Sequence, residues 1–414
     1  MLFIYRILII LLIFVSPIII LYRLINKKED LLRFKEKFCY SDKKKNNKTL
    51  VWFHGASVGE ITSIIPLIKK MERKKNIHQI LVTSNTLSSS KIISKLRLKK
   101  TIHQFFPIDT NYLTKKFLKH WNPSVAIFVD SEIWPNMLIN IKKETIPLIL
   151  LNARITKKSF KKWMLFKSSA KMIFQLFDIC LSSNSKSKKY LKVLGAKKIK
   201  LIGNLKFSSR EITKNILSNK LINFFKSKKV WCAASTHKTE EILCAIAHKK
   251  MKKKYKNLIT IIIPRHVDRT ASIVNELKKL NLKIHLHNSK NKINKDTDIY
   301  LVDSYGKTKS FYKISKTVFL GGSMIKHGGQ NPIEAAIYGC KILYGPNIWN
   351  FDEVYKFLDK KNISSKVNGV NQIIQNVEKI FQEKNIEQIK NKIKYLGDKI
   401  LISTFKEINF FIRK

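Results

Sequence analysis

The chain's most suggestive residues are acids placed where short apolar runs end. Glu60 closes the run His54-Gly55-Ala56-Ser57-Val58-Gly59-Glu60, and Asp130-Ser131-Glu132 directly follows Ala126, Ile127, Phe128 and Val129. Carboxylates gathered at strand ends suit proton transfer or the stabilising of developing charge. Asn152-Ala153-Arg154 and Gly203-Asn204-Leu205-Lys206 end further runs, and Arg154 and Lys206 offer cations for a phosphate. A second group starts at Pro264-Arg265-His266. It continues with Gly321-Gly322-Ser323 and with His327-Gly328-Gly329-Gln330-Asn331-Pro332 before a helix near Ile333. Glycines at a strand end and before a helix N-terminus make a phosphate cradle. Glu334, in that helix's first turn, can accept hydrogen bonds from a ribose diol. Plainer roles exist for each acid: Glu60 and Asp130 as helix caps, Glu334 as a complement to the helix dipole.

Gly55-Ala56-Ser57-Val58-Gly59 also matches the G-x-S-x-G nucleophile elbow of serine hydrolases. On that alternative Ser57 attacks, with a later acid and His237, His266 or His327 completing a triad. The elbow would follow the first strand after an apolar N-terminus, leaving no earlier strand to supply a second oxyanion donor.

These residues need strands to carry them. Leu50 to His54 is a short β-forming run, and Ile61, Ile64, Ile65 and Ile68 recur at helical spacing behind it. Gly55 and Gly59 bracket the expected turn, where φ > 0 or close approach would call for glycine. Further strands are expected at 80–83, 124–129, 147–151, 179–182 and 200–202, with helical patterns between. A second series is expected at 230–233, 258–263, 283–286, 299–302, 317–320 and 341–344. Such alternation implies βαβ units, hence two parallel sheets in two α/β domains facing a cleft. Ligands of such sheets bind beyond the carboxyl ends of the strands. The expected division is an N-terminal segment at 1–26, a first domain at 27–207, a linker at 208–229 and a second domain at 230–414. Beyond about residue 371 only Lys-rich helices are expected.

The chain has 414 residues and a net charge of +53, carried by 81 Lys and Arg of which ten are Arg. Lysine covers ordinary helix surfaces throughout, whereas nucleic-acid binders concentrate charge and interleave Arg and aromatics. No nucleic-acid partner is therefore expected, although the field would attract phosphorylated substrates and anionic lipid. The five cysteines are scattered, with no C-x-x-C, which points to free thiols in a reducing compartment. Residues 7–22 are apolar except Ser16 and Pro17 and lie between Arg6 and Arg23. Those residues would make about 24 Å of helix, against a hydrocarbon core of about 30 Å, so they would span thinly or lie in one leaflet. The basic run at 27–48 would keep the body in the cytoplasm.

Taken together, the segments His54–Glu60, Asp130–Asn136, LNARIT at 151–156, GNLKF at 203–207, AASTHKTEE at 233–241, Pro264-Arg265-His266, GGSMIKHGGQNPIEAA at 321–336 and GPNIWNF at 345–351 carry a resemblance. The chain resembles the 3-deoxy-D-manno-octulosonic acid (Kdo) transferases of lipid A biosynthesis, over roughly residues 1–355. The resemblance implies a GT-B fold of two Rossmann-like domains, the first for the acceptor and the second for a CMP-sugar. It implies an inverting glycosyltransferase that uses neither metal nor other cofactor. CMP-Kdo would be the donor and a lipid A precursor, lipid IVA, the acceptor in lipopolysaccharide biosynthesis. The location would be the inner membrane, with an N-terminal anchor and the catalytic domains on the cytoplasmic face. Carried over by motif, Glu60 would be the base, and Asp130 and Lys206 would stabilise the transition state. CMP would contact Pro264, Arg265, Tyr305, Gly306, Lys307, Asn331, Pro332, Ile333 and Glu334. The family usually has Glu at the position of Asp130, and a more apolar loop at 304–308 with an acid where Lys307 stands.

Overall fold

A computed structural model describes residues 2–46, 48–209, 217–383 and 387–412. The chain divides into two compact units, one of residues 1–209 with 397–414, the other of residues 210–396.

The first unit is built on seven parallel strands: β1 (Leu50–His54), β2 (Gln79–Ser84), β3 (Thr101–Phe105), β4 (Val125–Val129), β5 (Leu148–Ala153), β6 (Ile179–Ser182) and β7 (Ile199–Leu201). Their order is β3-β2-β1-β4-β5-β6-β7. The second unit repeats the plan with β8 (Lys229–Thr236), β9 (Leu258–Pro264), β10 (Ile284–Leu286), β11 (Ile299–Leu301), β12 (Thr317–Leu320), β13 (Lys341–Tyr344) and β14 (Ser364–Lys366), in the order β10-β11-β9-β8-β12-β13-β14. All pairings are parallel. β1, β4, β5 and β9 are buried along their whole length, so they read as continuous apolar runs. Two strands escape that signal. β3 reads Thr-Ile-His-Gln-Phe and β14 reads Ser-Ser-Lys, both at sheet edges where burial is incomplete.

Each unit has its own core. Trp52 is fully buried and packs 4.9 Å from Phe117 and 5.3 Å from Phe128. Trp231, Ile262, Phe319 and Leu343 gather the second core. Burying one such side chain contributes about 1.5–3 kcal/mol.

Two elements bear on the expected division. The polar, helix-like stretch expected as a linker at 208–229 lies partly outside the described residues, and its later part forms a helix, Asn219–Lys226. The last helix, Glu387–Ile412, was expected wholly in the second domain, but from Gly397 onward it belongs to the first unit. There Phe405 is covered by Lys70 at 5.1 Å and Lys74 at 5.4 Å, and Lys200 pairs with Glu407 at 2.5 Å. A Cβ on Gly397 would stand 2.3 Å from the Phe207 carbonyl, so the helix lies directly on the turn that carries Lys206.

The N-terminal segment forms one helix, α1 (Leu2–Ile25), of 24 residues. At 1.5 Å per residue it is about 36 Å long. It is the one helix among the described residues long and apolar enough to cross a membrane. Pro17 cannot donate to the Ile13 carbonyl, and the Ser16 hydroxyl does so instead at 2.7 Å. The first turn is held to the body: Tyr5 Oη donates to Asp109 at 2.6 Å and Arg6 Nε to Asn136 at 3.0 Å. The opposite face, with Phe3, Leu8, Leu11, Phe14 and Ile18, is exposed.

Candidate active site

The order of the first sheet reverses between β1 and β4, which is where open α/β sheets bind ligands. β1 delivers the chain into α2 (Val58–Glu72), and Ser57 is its N-cap with extended backbone, φ −113° and ψ 161°. The Ser57 hydroxyl accepts from Glu60 N, while Glu60 Oε2 accepts from Ala56 N at 2.7 Å and Ser57 N at 3.3 Å. Glu60 is thus a capping residue, as the plainer reading had it. It also carries a chemical environment that capping does not need. Burial, then the Glu132 carboxylate, then that of Asp130, pushes its pKa up to about 7. Gly55 serves close approach: a Cβ there would stand 3.1 Å from Glu60 Cβ. Neither Gly55 nor Gly59 has positive φ, and Gly59 is a residue of α2, so the expected glycine-bracketed turn is a capping box.

Asp130 leaves β4 at φ +58°, a left-handed backbone that Asp tolerates better than Glu. Its carboxylate accepts from Asn152 Nδ2 and lies 3.5 Å from Lys206 Nζ. Asn152, also left-handed at φ +54°, accepts from Leu205 N at 2.9 Å and so ties the end of β5 to the Lys206 turn. Asp130 and Lys206 are therefore brought together. Glu132 accepts from Trp134 Nε1 at 2.9 Å and faces His54 Nε2 at 3.4 Å. Sequence reasoning noted Glu132 as a second carboxylate but gave no role to His54 or Trp134, because both look like ordinary apolar-run residues.

The second sheet reverses between β8 and β12. Pro264 ends β9 and Arg265 follows it; Tyr305, Gly306 and Lys307 follow β11; Asn331 to Glu334 follow β12. Tyr305 Oη accepts from Val267 N at 3.4 Å, linking the loops after β11 and β9. Asn331 Oδ1 accepts from Ile333 N at 3.2 Å, and Glu334, half exposed, lies 3.4 Å from Lys309. Gly328 is held at φ +99°, and a Cβ there would stand 2.3 Å from Asn350 Nδ2. The His237 ring lies 4.3 Å from that of His327 and 5.8 Å from that of His266. Burial, with His327, His266, Arg265 and Arg269 nearby, pulls the His237 pKa down to about 4.

The phosphate cradle expected at Gly321-Gly322-Ser323 is already filled by the protein. The buried Glu240 carboxylate accepts from His237 N at 2.9 Å, Gly322 N at 2.7 Å, Ser323 N at 3.1 Å and Met324 N at 2.9 Å. Those amides answer an internal anion. The helix beyond, Ile333–Ile337, has only five residues, too short for much dipole. Glu240 is the residue sequence reasoning missed; its signal is an acid four residues past the end of the first strand of its sheet.

The elbow reading also fails on geometry. An elbow holds its serine in a strained turn, whereas Ser57 is in ordinary extended backbone and its hydroxyl donates to Glu60 Oε1 at 2.9 Å.

The sequence profile of the family described as 3-Deoxy-D-manno-octulosonic-acid transferase (kdotransferase) matches residues 32–209. The chain is 31% identical over 375 residues to a 3-deoxy-D-manno-octulosonic acid transferase of Rickettsia bellii, covering 90% of this chain and 89% of that one. This chain belongs to the Kdo transferases. It is therefore a glycosyltransferase that transfers Kdo. It is also 33% identical over 350 residues to the same-named enzyme of Rickettsia felis, covering 84% and 72% of the two chains. In fold it is similar to UDP-GlcNAc 2-epimerase from Neisseria meningitidis, with a TM-score of 0.60, 13% identity and coverage of 87% and 100%. That likeness concerns the fold alone, which is GT-B: two Rossmann-like units of parallel sheet.

Proposed function

We propose that the enzyme takes Kdo from CMP-Kdo and attaches it, with inversion, to a lipid A precursor, lipid IVA. Glu60 accepts the proton of an acceptor hydroxyl as its oxygen bonds to the ketosidic carbon. The bond from that carbon to the CMP phosphate breaks, and its electron pair leaves with CMP. The transition state is oxocarbenium-like, as in glycoside hydrolysis. Lys206, paired with Asp130, steadies it. Arg265 holds the nucleotide phosphate, and the segments 305–307 and 331–334 hold the rest, with Glu334 on the ribose diol. What supports this reading is the setting of Glu60, held in its turn by the Ala56 amide at the start of α2, where burial and the Glu132 and Asp130 carboxylates push its pKa up to about 7. A base with a pKa near the working pH is both free of its proton and strong enough to take one.

The exposed apolar face of α1 and the basic run behind it support a location at the cytoplasmic surface of the inner membrane. Basic residues there contribute about 1 kcal/mol each toward anionic lipid. The test is mass spectrometry of lipid IVA incubated with CMP-Kdo and the protein. The acceptor should gain the mass of Kdo, and E60Q should leave it unchanged. No gain with the wild-type protein, or an equal gain with E60Q, overturns the reading.

A further inference from the structure

A line of buried polar groups runs from the core of the first unit to Glu132, and nothing in the scheme above uses it. Trp52 Nε1 donates to Thr83 Oγ1 at 2.9 Å, and Thr83 Oγ1 lies 3.0 Å from His54 Nδ1. Trp52, Thr83 and His54 are all fully buried. His54 stacks on Phe106 with ring centroids 3.8 Å apart, which fixes the plane of the imidazole. Its Nε2 is sealed from solvent and otherwise unpartnered, and lies 3.4 Å from Glu132 Oε2. Burial pulls the His54 pKa down, so the ring is neutral and carries one proton. The Thr83 hydroxyl has one proton and two acceptors in reach, His54 Nδ1 at 3.0 Å and Phe53 O at 3.3 Å. With that proton turned to the nearer Nδ1, the ring proton stands on Nε2, facing a carboxylate. Each donor in the series then points the same way, toward Glu132, and such chains reinforce one another. Trp134 Nε1 holds the same oxygen, Oε2, at 2.9 Å.

β1 and β4 are adjacent, with His54 paired to Phe128, so the residues that follow them emerge side by side. Glu60 follows β1 and Glu132 follows β4. We propose that Glu132 is a positioning residue: Trp134 and the buried Trp52–Thr83–His54 series hold its carboxylate at the end of β4 beside the turn that carries Glu60, where it acts on that group. This rests on Glu60 being the base. The groups facing Glu60 are Glu132 and Asp130 from the β4 loop, and the Ser57 hydroxyl and the Ala56 and Ser57 amides from its own turn. Asp130 is partly answered by Lys206. The groups recorded at the Glu132 carboxylate among the described residues are the Trp134 indole and the His54 ring. Burial and the two carboxylates raise the base; Ser57 opposes them.

The experiment is the pH profile of kcat/KM for the full-length enzyme, with CMP-Kdo and detergent-dispersed lipid IVA. In E132Q the acid limb should move down by about one pH unit, the size expected for loss of a nearby like charge. The plateau should fall about threefold to tenfold, because a weaker base transfers protons more slowly. H54Q keeps an N–H where Nε2 stood and should keep the wild-type limb; H54L should move it as E132Q does. An unmoved limb in E132Q overturns the proposal. So does a loss of about 100-fold or more at every pH without a shift, which would make Glu132 a group that touches substrate. Should H54L fail to fold, E132Q against H54Q still decides. E60Q separates the two ideas. If it retains activity, the base assignment fails; if it is inactive while the E132Q limb stays put, only the role of Glu132 fails.

Discussion

Each sheet places a carboxylate at the start of the helix after its first strand along the chain, and the two carboxylates do different work. Glu60 follows β1 and Glu240 follows β8. Glu240 is fully buried and accepts from four backbone amides, three of them from the loop after β12. Its charge is consumed in shaping that loop. Glu60 accepts from two amides of its own turn and then faces Glu132 and Asp130. Like charges near it make its ionised form costly, so it binds a proton readily. The position after the first strand is shared; what stands opposite the carboxylate decides whether it builds a loop or moves a proton.

The contrast is sharpest at Glu60 itself. E60Q keeps the capping box, since Gln serves at that position as Glu does, but cannot accept a proton. Turnover should fall by about 10²–10⁴-fold, with CMP-Kdo binding nearly intact by calorimetry. Its effect on stability should depend on pH in a defined sense. The folded pKa of Glu60 is raised to about 7 from an ordinary 4.5. From pH 4.5 to 7 the folded state therefore holds a proton that the unfolded state has lost, and stability contributed by this group drains away as pH rises. Thermal melts of the wild type relative to E60Q should weaken steadily from pH 5 to pH 8. A constant difference would mean that Glu60 is an ordinary surface acid.

E240A should break the fold before the chemistry. Four buried amides lose their acceptor, each such orphan costing about 1–3 kcal/mol. Urea unfolding should show a loss of at least about 3 kcal/mol, and CMP binding should go with it. A stable E240A that loses only CMP affinity would make Glu240 a ligand contact and erase the contrast with Glu60.

Glu334 is the acid of the second unit assigned to substrate. E334A should weaken CMP binding by about 1.5–3 kcal/mol, the range for hydrogen bonds to a charged group. Binding of 2′,3′-dideoxy-CMP should weaken far less. Equal losses would leave Glu334 as the partner of Lys309 only. The smallest effect is expected at Ser57. S57A removes an N-cap worth about 1 kcal/mol, measurable by thermal melting, and Kdo transfer should persist. Loss of an esterase activity in S57A would restore the elbow.

The parallel sheets were legible because most of their strands are buried on both faces and read as unbroken apolar runs. β3 and β14 were illegible because their residues, Thr-Ile-His-Gln-Phe and Ser-Ser-Lys, are mostly polar. Glu60, Asp130 and Lys206 were legible as polar residues ending those runs, and the motif series around them identified the family. The sequence alone thereby determined the fold class, the family and which strand ends carry chemistry, since all three rest on local pattern and order along the chain. Tertiary structure decided which of those groups meet. Asp130 reaches Lys206 only because Asn152 joins two loops 53 residues apart. The Gly322, Ser323 and Met324 amides after β12 are not open to a phosphate because Glu240, 82 residues before Gly322, accepts from them. His54 came to lie 3.4 Å from Glu132 because β1 and β4 run side by side. Hydrogen-bond partners and pKa depend on distances through space, and these are fixed only once the strands are laid side by side.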